Sequence, residues 1–152
     1  MATIDDVPTI LGFIRDLAEY EHELDKVRAT EEQLRRDLFG ERPAVFAHIA
    51  EADGVAVGFA LWFLNYSTWE GRHGIYLEDL YVVPEARGGG HGKALLVELA
   101  RLAVERGYGR FEWAVLNWNT PSIGFYESLG ARPQQEWTVY RLEGEALAAL
   151  GS

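Results

Sequence analysis

Four of the five residues from Gly88 to Gly92 are glycine, set between an apolar run ending in Val82-Val83-Pro84 and a helical repeat of Ala94, Leu95, Leu96, Leu99, Leu102 and Ala103. Glycines in that place let successive main-chain N–H groups converge at a helix N-terminus, where the helix dipole favours an anion. The chemistry is that of a phosphate cradle, although the same letters suit a flexible turn that needs positive φ. Spacing tests two familiar phosphate motifs. A dinucleotide fingerprint beginning at Gly88 requires glycine where Lys93 stands, and no acidic-ended second strand follows at the right distance. A triphosphate loop ending at Gly92-Lys93 requires Ser or Thr next and glycine at position 87, where the chain has Ala94 and Arg87. Neither motif fits.

Other chemistry is excluded by residue type. There is no cysteine, so thiolate zinc sites, disulfides and a catalytic thiol are ruled out. The four histidines, His22, His48, His73 and His91, include no i, i+4 pair, so no metal site is expected. His91 reads as solvent-facing loop filler, although a glycine loop makes it resemble a base. With 14 basic against 24 acidic residues the formal charge is −10, a field that repels nucleic acid and attracts small cations such as a polyamine or a lysine-like amine.

The elements that must position these groups alternate in type. At 152 residues, 48% hydrophobic, the chain suits one domain, residues 1–152. No apolar run is long enough to span a bilayer and the N-terminus lacks a secretory pattern, so no membrane partner and a cytoplasmic location are expected. Ile10, Leu11, Ile14, Leu17 and Ala18 predict a first helix after Asp5 and Asp6; Thr30-Glu31-Glu32-Gln33 is a capping box that starts a second. Val45 to Ala52 and Val55 to Tyr66 predict strands joined by an Asp53-Gly54 turn. Further strands are predicted at Ile75–Val83, Phe111–Leu116 and Trp137–Leu142, with a short helix from Thr120-Pro121 through Leu129. Trp62 and Trp113 sit among apolar neighbours as core residues would. The sum is α+β with a mixed sheet of at least five strands.

Arg87-x-x-Gly90-x-Gly92 after Val82-Val83-Pro84 resembles the acyl-coenzyme-A-binding signature of the GNAT N-acetyltransferase family. Further words, Leu17-Ala18-Glu19-Tyr20-Glu21, Ser67-Thr68-Trp69-Glu70-Gly71, Tyr76-Leu77-Glu78-Asp79-Leu80-Tyr81-Val82 and Trp118-Asn119-Thr120-Pro121-Ser122-Ile123-Gly124-Phe125-Tyr126, are similar to those of its diamine type, the spermidine/spermine and thialysine N-acetyltransferases. The resemblance runs from about Ala2 to Leu150. It implies the GNAT fold, a mixed and mostly antiparallel central sheet flanked by helices. Family members usually carry a strand ahead of the word that here is Ala2-Thr3-Ile4-Asp5-Asp6, and that first strand is missing from this sequence.

The resemblance implies acetyl transfer from acetyl-CoA to an amine by direct attack in a ternary complex. Such a transfer has two proton problems. An alkyl ammonium of pKa ~10.4 leaves about one molecule in a few thousand with a free lone pair at neutral pH, and a thiolate of pKa ~8.5 departs more easily when protonated. By resemblance, Glu78 accepts protons and Tyr126 donates one to the sulfur, although Glu78-Asp79 also reads as a solvated strand end. Backbone at Leu80, Tyr81 and Val82 would pair with the pantetheine arm as an added strand. Amides of Gly88, Gly89, Gly90, His91, Gly92 and Lys93 would hold the diphosphate, with charge from Arg87 or Lys93. Asn119 would hydrogen-bond the coenzyme or cap its helix. Tyr20, Glu21, Trp69, Glu78 and Glu136 are implied in the amine groove. Ser67-Thr68-Trp69 looks more like thialysine-type than polyamine-type members, and a homodimer is implied. The alternatives are acetylation of a protein or peptide amine and a noncatalytic acyl-CoA sensor.

Overall fold

The computed structural model describes residues 1–152, which divide into two compact units, 1–114 and 115–152. In the first, α1 (Val7–Tyr20) and α2 (Glu31–Phe39) precede strands β1 (Phe46–Ala52), β2 (Val55–Ser67) and β3 (Arg72–Val82), then α3 (His91–Glu105) and β4 (Phe111–Trp113). The sheet order is β1-β2-β3-β4, antiparallel except for the parallel β3–β4 pair. The second unit holds α4 (Thr120–Ser128) and α5 (Gly144–Leu150). No helix is long and apolar enough to cross a membrane.

Local chemistry accounts for the boundaries. Thr30 Oγ1 accepts from the Gln33 N–H at 3.2 Å and the Gln33 side chain accepts from the Thr30 N–H at 3.1 Å, so two otherwise unpaired donors at the start of α2 are satisfied. Asp53 and Gly54 take φ of 53° and 77°, the left-handed pair that matches the twist of a two-residue hairpin. Helix α1 follows a turn in which the Asp6 carboxylate accepts the Thr3 N–H at 2.8 Å.

Alternation sorts side chains onto two faces. Ala47, Phe59, Leu61 and Tyr81 join Val7, Ile10, Leu11, Phe13, Leu34 and Leu38 in one cluster beneath α1 and α2. Phe13 stacks on Phe59 with ring centres 5.7 Å apart and lies 5.8 Å from Tyr81. His48, Ala60, Trp62 and Leu77 alternate to the other face, where α3 brings buried Leu95, Leu96, Leu99, Leu102 and Ala103. Trp62 is fully buried, as expected of a core residue.

The sheet has four strands, fewer than the five expected. Trp137–Leu142 forms no strand, and Trp137, Val139 and Tyr140 are largely exposed. Its β-branched and aromatic composition favours a pleated surface, but a strand exists only through a neighbour that completes its hydrogen bonds, and this stretch pairs with none. Strand β4 likewise ends at Trp113, short of Leu116, while β3 begins at Arg72 because Arg72, His73 and Gly74 pair with Ser67, Tyr66 and Asn65. Helix α5 was not expected; Glu145-Ala146-Leu147-Ala148-Ala149-Leu150 is a run of strong helix formers. No strand lies outside β1, where the Ala2 N–H donates to the Ala47 carbonyl at 2.9 Å.

Candidate functional site

Strand β3 is longer than the neighbour on its outer side. Parallel pairing with β4 covers Ile75, Tyr76 and Leu77 and stops at Trp113, leaving Glu78 to Val82 without a strand on that edge. On the inner side the Val83 N–H donates to the Val57 carbonyl at 2.8 Å, and Tyr81 stands opposite Phe59. Antiparallel pairs alternate, so the main-chain groups of Leu80 and Val82 point the other way, into the open edge. Two donors and two acceptors therefore face that edge, one of them the Val82 carbonyl that also accepts from Arg87 Nε, and they suit an extended, amide-bearing ligand.

The same strand carries a bulge. Leu77 pairs with Trp62 and Asp79 with Leu61, so Glu78 has no opposite residue. A bulge shifts the alternation by one and re-aims the following side chains. Asp79, two residues after the α3-facing Leu77, is thereby turned to the α1 face that Leu61 and Tyr81 share.

Beyond Val83 the chain makes a turn at Pro84–Ala86 and enters the glycine loop. Gly88 and Gly90 take φ of 88° and 83°, and Gly90 is the N-cap of α3. A Cβ at either would meet nothing within 4 Å, so backbone conformation, not crowding, demands glycine. The Ala94 N–H donates to Gly90 O at 2.9 Å, which leaves the amides of His91, Gly92 and Lys93 ahead of the first helical bond. His91 is half-buried, its ring 3.1 Å from where a Gly89 Cβ would stand, and so is packed on the loop and not a solvent-facing filler. Arg87 turns back from the loop. Its Nε donates to the Val82 carbonyl at 2.9 Å, and its guanidinium lies 5.4 Å from the Tyr20 ring centre and 5.6 Å from that of Tyr81.

Three carboxyl groups share the end of α1 and the bulge. Burial pushes the Asp79 carboxyl up to about 7, and the charges of Glu78 and Glu21 add to the shift. Glu21, which ends α1, is raised by burial, then by Glu23 and Glu78. Burial and the neighbouring Glu78 and Glu112 raise the Tyr76 hydroxyl as well. Glu78 itself is exposed. A carboxyl that changes protonation near neutral pH is matched to proton transfer at that pH. The orientation of Asp79 is not legible in the sequence, because it depends on a bulge and nothing in Leu77-Glu78-Asp79-Leu80 marks one.

The first unit thus brings Tyr20, Glu21, Glu78, Leu80, Tyr81, Val82, Arg87 and the loop to one end of β3. Trp69 lies elsewhere, largely exposed in the β2–β3 turn, with six residues of β3 or ~20 Å of strand between that turn and the bulge. In the second unit, Asn119 is buried and caps α4, its Oδ1 accepting the Ser122 N–H at 3.4 Å. Tyr126 is half-buried on α4 with its ring 5.7 Å from that of Phe125, and Glu136 is exposed in an irregular stretch.

The profile of the acetyltransferase (GNAT) family matches residues 11–131. Thialysine N-epsilon-acetyltransferase of Sus scrofa is 44% identical over 156 residues, spanning 95% of this chain and 91% of the relative. L-ornithine N5-acetyltransferase of Arabidopsis thaliana is 32% identical over 195 residues, spanning 99% and 86%. Among solved structures, an integron cassette protein from the mobile metagenome of V. cholerae superposes with a TM-score of 0.78 at 30% identity, covering 97% of this chain and 90% of that one.

Proposed function

Because this chain belongs to the acetyltransferase (GNAT) family and is an N-acetyltransferase, we propose that it moves an acetyl group from acetyl-CoA to the side-chain amine of a small cationic amino acid or diamine. One observation carries the reading: the open edge of β3 at Leu80 and Val82 runs directly into a glycine-capped helix N-terminus. Acetyl-CoA fits that arrangement, since its pantetheine amides match an added strand and its diphosphate matches the amides of Gly88 to Lys93. Bound there, it supplies an activated thioester carbonyl.

The chain's own groups do the rest. Glu21, Glu78 and Asp79 hold the cationic acceptor and take its ammonium proton, freeing the nitrogen lone pair. That nitrogen bonds to the thioester carbon, the carbon–sulfur bond breaks as the Tyr126 hydroxyl protonates the departing thiolate, and the second proton that the nitrogen loses in becoming an amide restores the phenol. Tyr20 packs along the amine, Trp69 and Glu136 contribute to its groove, and Asn119 adds a hydrogen bond to the donor. Relatives named for thialysine and ornithine favour an amino acid with a side-chain amine over spermine, in accord with Ser67-Thr68-Trp69. The enzyme works in the cytoplasm as a homodimer and requires no metal.

Thiol release from acetyl-CoA with thialysine, ornithine, lysine, putrescine, spermidine and peptides tests the substrate class. Thialysine or ornithine should lead by about tenfold, the selectivity that ~1.4 kcal/mol confers. Peptides leading by the same margin would overturn the class, and coenzyme A uptake without any turnover would leave a sensor. Tyr126→Phe should lower turnover strongly while acetyl-CoA affinity, read by calorimetry, stays nearly intact.

A further inference from the structure

The family signature places Arg87 one residue ahead of the glycines, where a cation would be read as a ligand of the diphosphate. Its side chain is engaged elsewhere. The guanidinium touches three separate parts of the first unit: the Val82 carbonyl on the open edge of β3, the Tyr81 ring on the α1 face, and the Tyr20 ring at the end of α1. A planar guanidinium can donate in its plane and stack on rings with its faces, which a lysine ammonium cannot reproduce. Val82 offers its carbonyl to the donor's arm, while Tyr20 and the adjoining Glu21 belong to the amine side.

We infer that Arg87 is a positioning residue that ties the acyl-donor edge of β3 to the amine-binding end of α1, and that it is not a phosphate ligand. The inference rests on the acetyl-transfer reading above and deepens it. One side chain sets the distance between thioester and amine, so its loss is felt by both substrates. The charge contributes through the rings and the Val82 oxygen, so the effect does not depend on the donor's phosphates.

The test compares Arg87→Lys and Arg87→Gln with the unaltered protein, using acetyl-CoA and S-acetyl-pantetheine, which has no diphosphate. Both variants should raise the amine KM about tenfold, as expected for losing a charge-assisted hydrogen bond and two ring contacts. The fold-loss in kcat/KM should be the same with either donor. Tyr20→Leu should raise the amine KM similarly, and adding it to Arg87→Gln should cost little more. An unchanged amine KM, with losses seen only for acetyl-CoA and rescued by lysine, would overturn the inference and make Arg87 a phosphate ligand. Hydrogen exchange reads the same tie without turnover. The amides of Glu21, His22 and Glu23, which donate to Leu17, Glu19 and Ala18, should exchange several-fold faster in Arg87→Gln, and unchanged exchange would overturn it. If the unaltered protein transfers no acetyl group, the proposed function fails while the exchange result still decides the role of Arg87.

Discussion

His48 and Asp79 lie on opposite faces of one sheet, the imidazole toward α3 and the carboxyl toward α1, and their surroundings differ in kind. His48 is 5% exposed, and its Nδ1 accepts the Trp62 Nε1–H at 3.1 Å. Burial is the largest cause that drives its pKa down to about 4, so at neutral pH it is a neutral, hydrogen-bonded core group. Asp79 is half-buried, and that burial first, then the charges of Glu78 and Glu21, raises its pKa to about 7. The difference begins with charge type, since removal from water disfavours the charged form of each group and so lowers a base and raises an acid. The histidine is thereby neutral across the working range, whereas the carboxyl, raised further by like charges, changes state within it. Histidine is the residue type that ordinarily titrates near neutral pH, and here it is the carboxyl whose pKa lies there.

The largest expected effect breaks the comparison on the Asp79 side. Asp79→Asn keeps the shape and removes the proton acceptor, and general-base assistance contributes about 10²–10⁴-fold. Turnover at pH 7 should fall by at least about a hundredfold, and the rise in kcat/KM near pH 7 should disappear. The same variant should be more stable above pH 7, by ~2–4 kcal/mol in urea unfolding, because it resembles the protonated form that the folded state favours. If activity survives, the proton leaves through Glu78 alone.

A second prediction uses the opposite signs of the two shifts. Between about pH 4 and 6.5 the unfolded chain protonates His48 and the native one does not, so this contribution is lost as pH falls toward 4. Between about 3.8 and 7 the native chain keeps the Asp79 proton and the unfolded one releases it, so that contribution is lost as pH rises toward 7. Each slope is ~1.4 kcal/mol per pH unit, and over the shared window they oppose each other. Relative to the unaltered protein, Asp79→Asn should gain stability with rising pH and His48→Gln should lose it, about 3 kcal/mol across the window in each case. Parallel curves for both variants would show that neither site is coupled to folding.

Much of the scaffold for this contrast is readable residue by residue. Thr30 and Gln33 announce a helix start, and Asp53-Gly54 announces a hairpin, because each makes its bonds within four residues. The glycine loop is legible for the same reason. The bulge is not, because Glu78 is the extra residue only relative to Leu61 and Trp62 on another strand. Arg87 shows a letter that is legible with partners that are not: Tyr20 is 67 positions away in sequence. Trp137–Leu142 teaches the converse, since strand-forming residues remain irregular when no neighbouring edge receives them.

A smaller effect sharpens the histidine side. Trp62→Phe removes the N–H that donates to His48 Nδ1 while retaining the aromatic contact with Phe46, whose ring centre is 4.8 Å away. An acceptor left unpaired in the core costs ~1–3 kcal/mol, so stability should fall by that amount at pH 7. The amine and acetyl-CoA KM values should not move, since the contact lies on the α3 face. A change in either KM would mean that the two faces are linked.

The finest test alters one neighbour and leaves Asp79 in place. Glu21 raises the Asp79 pKa through its charge, as the last of three causes, behind burial and Glu78. Glu21→Gln removes that charge with little change in volume, so Asp79 should ionise at a lower pH and the rising limb of kcat/KM should move in the same direction. Activity at pH 6 relative to pH 8 should increase by a factor of about two to five, as expected for a single partly screened charge. The amine KM should rise as well, because the groove loses an anion, and the two effects separate by pH: the first is confined to the acid limb and the second persists on the plateau. A profile that shifts toward higher pH, or does not shift at all, would detach Asp79 from the rate and return the proton to Glu78. Added salt supplies an independent check, since screening should move the unaltered protein's limb toward that of the variant and move the variant's limb less, because only the Glu78 charge is left to screen.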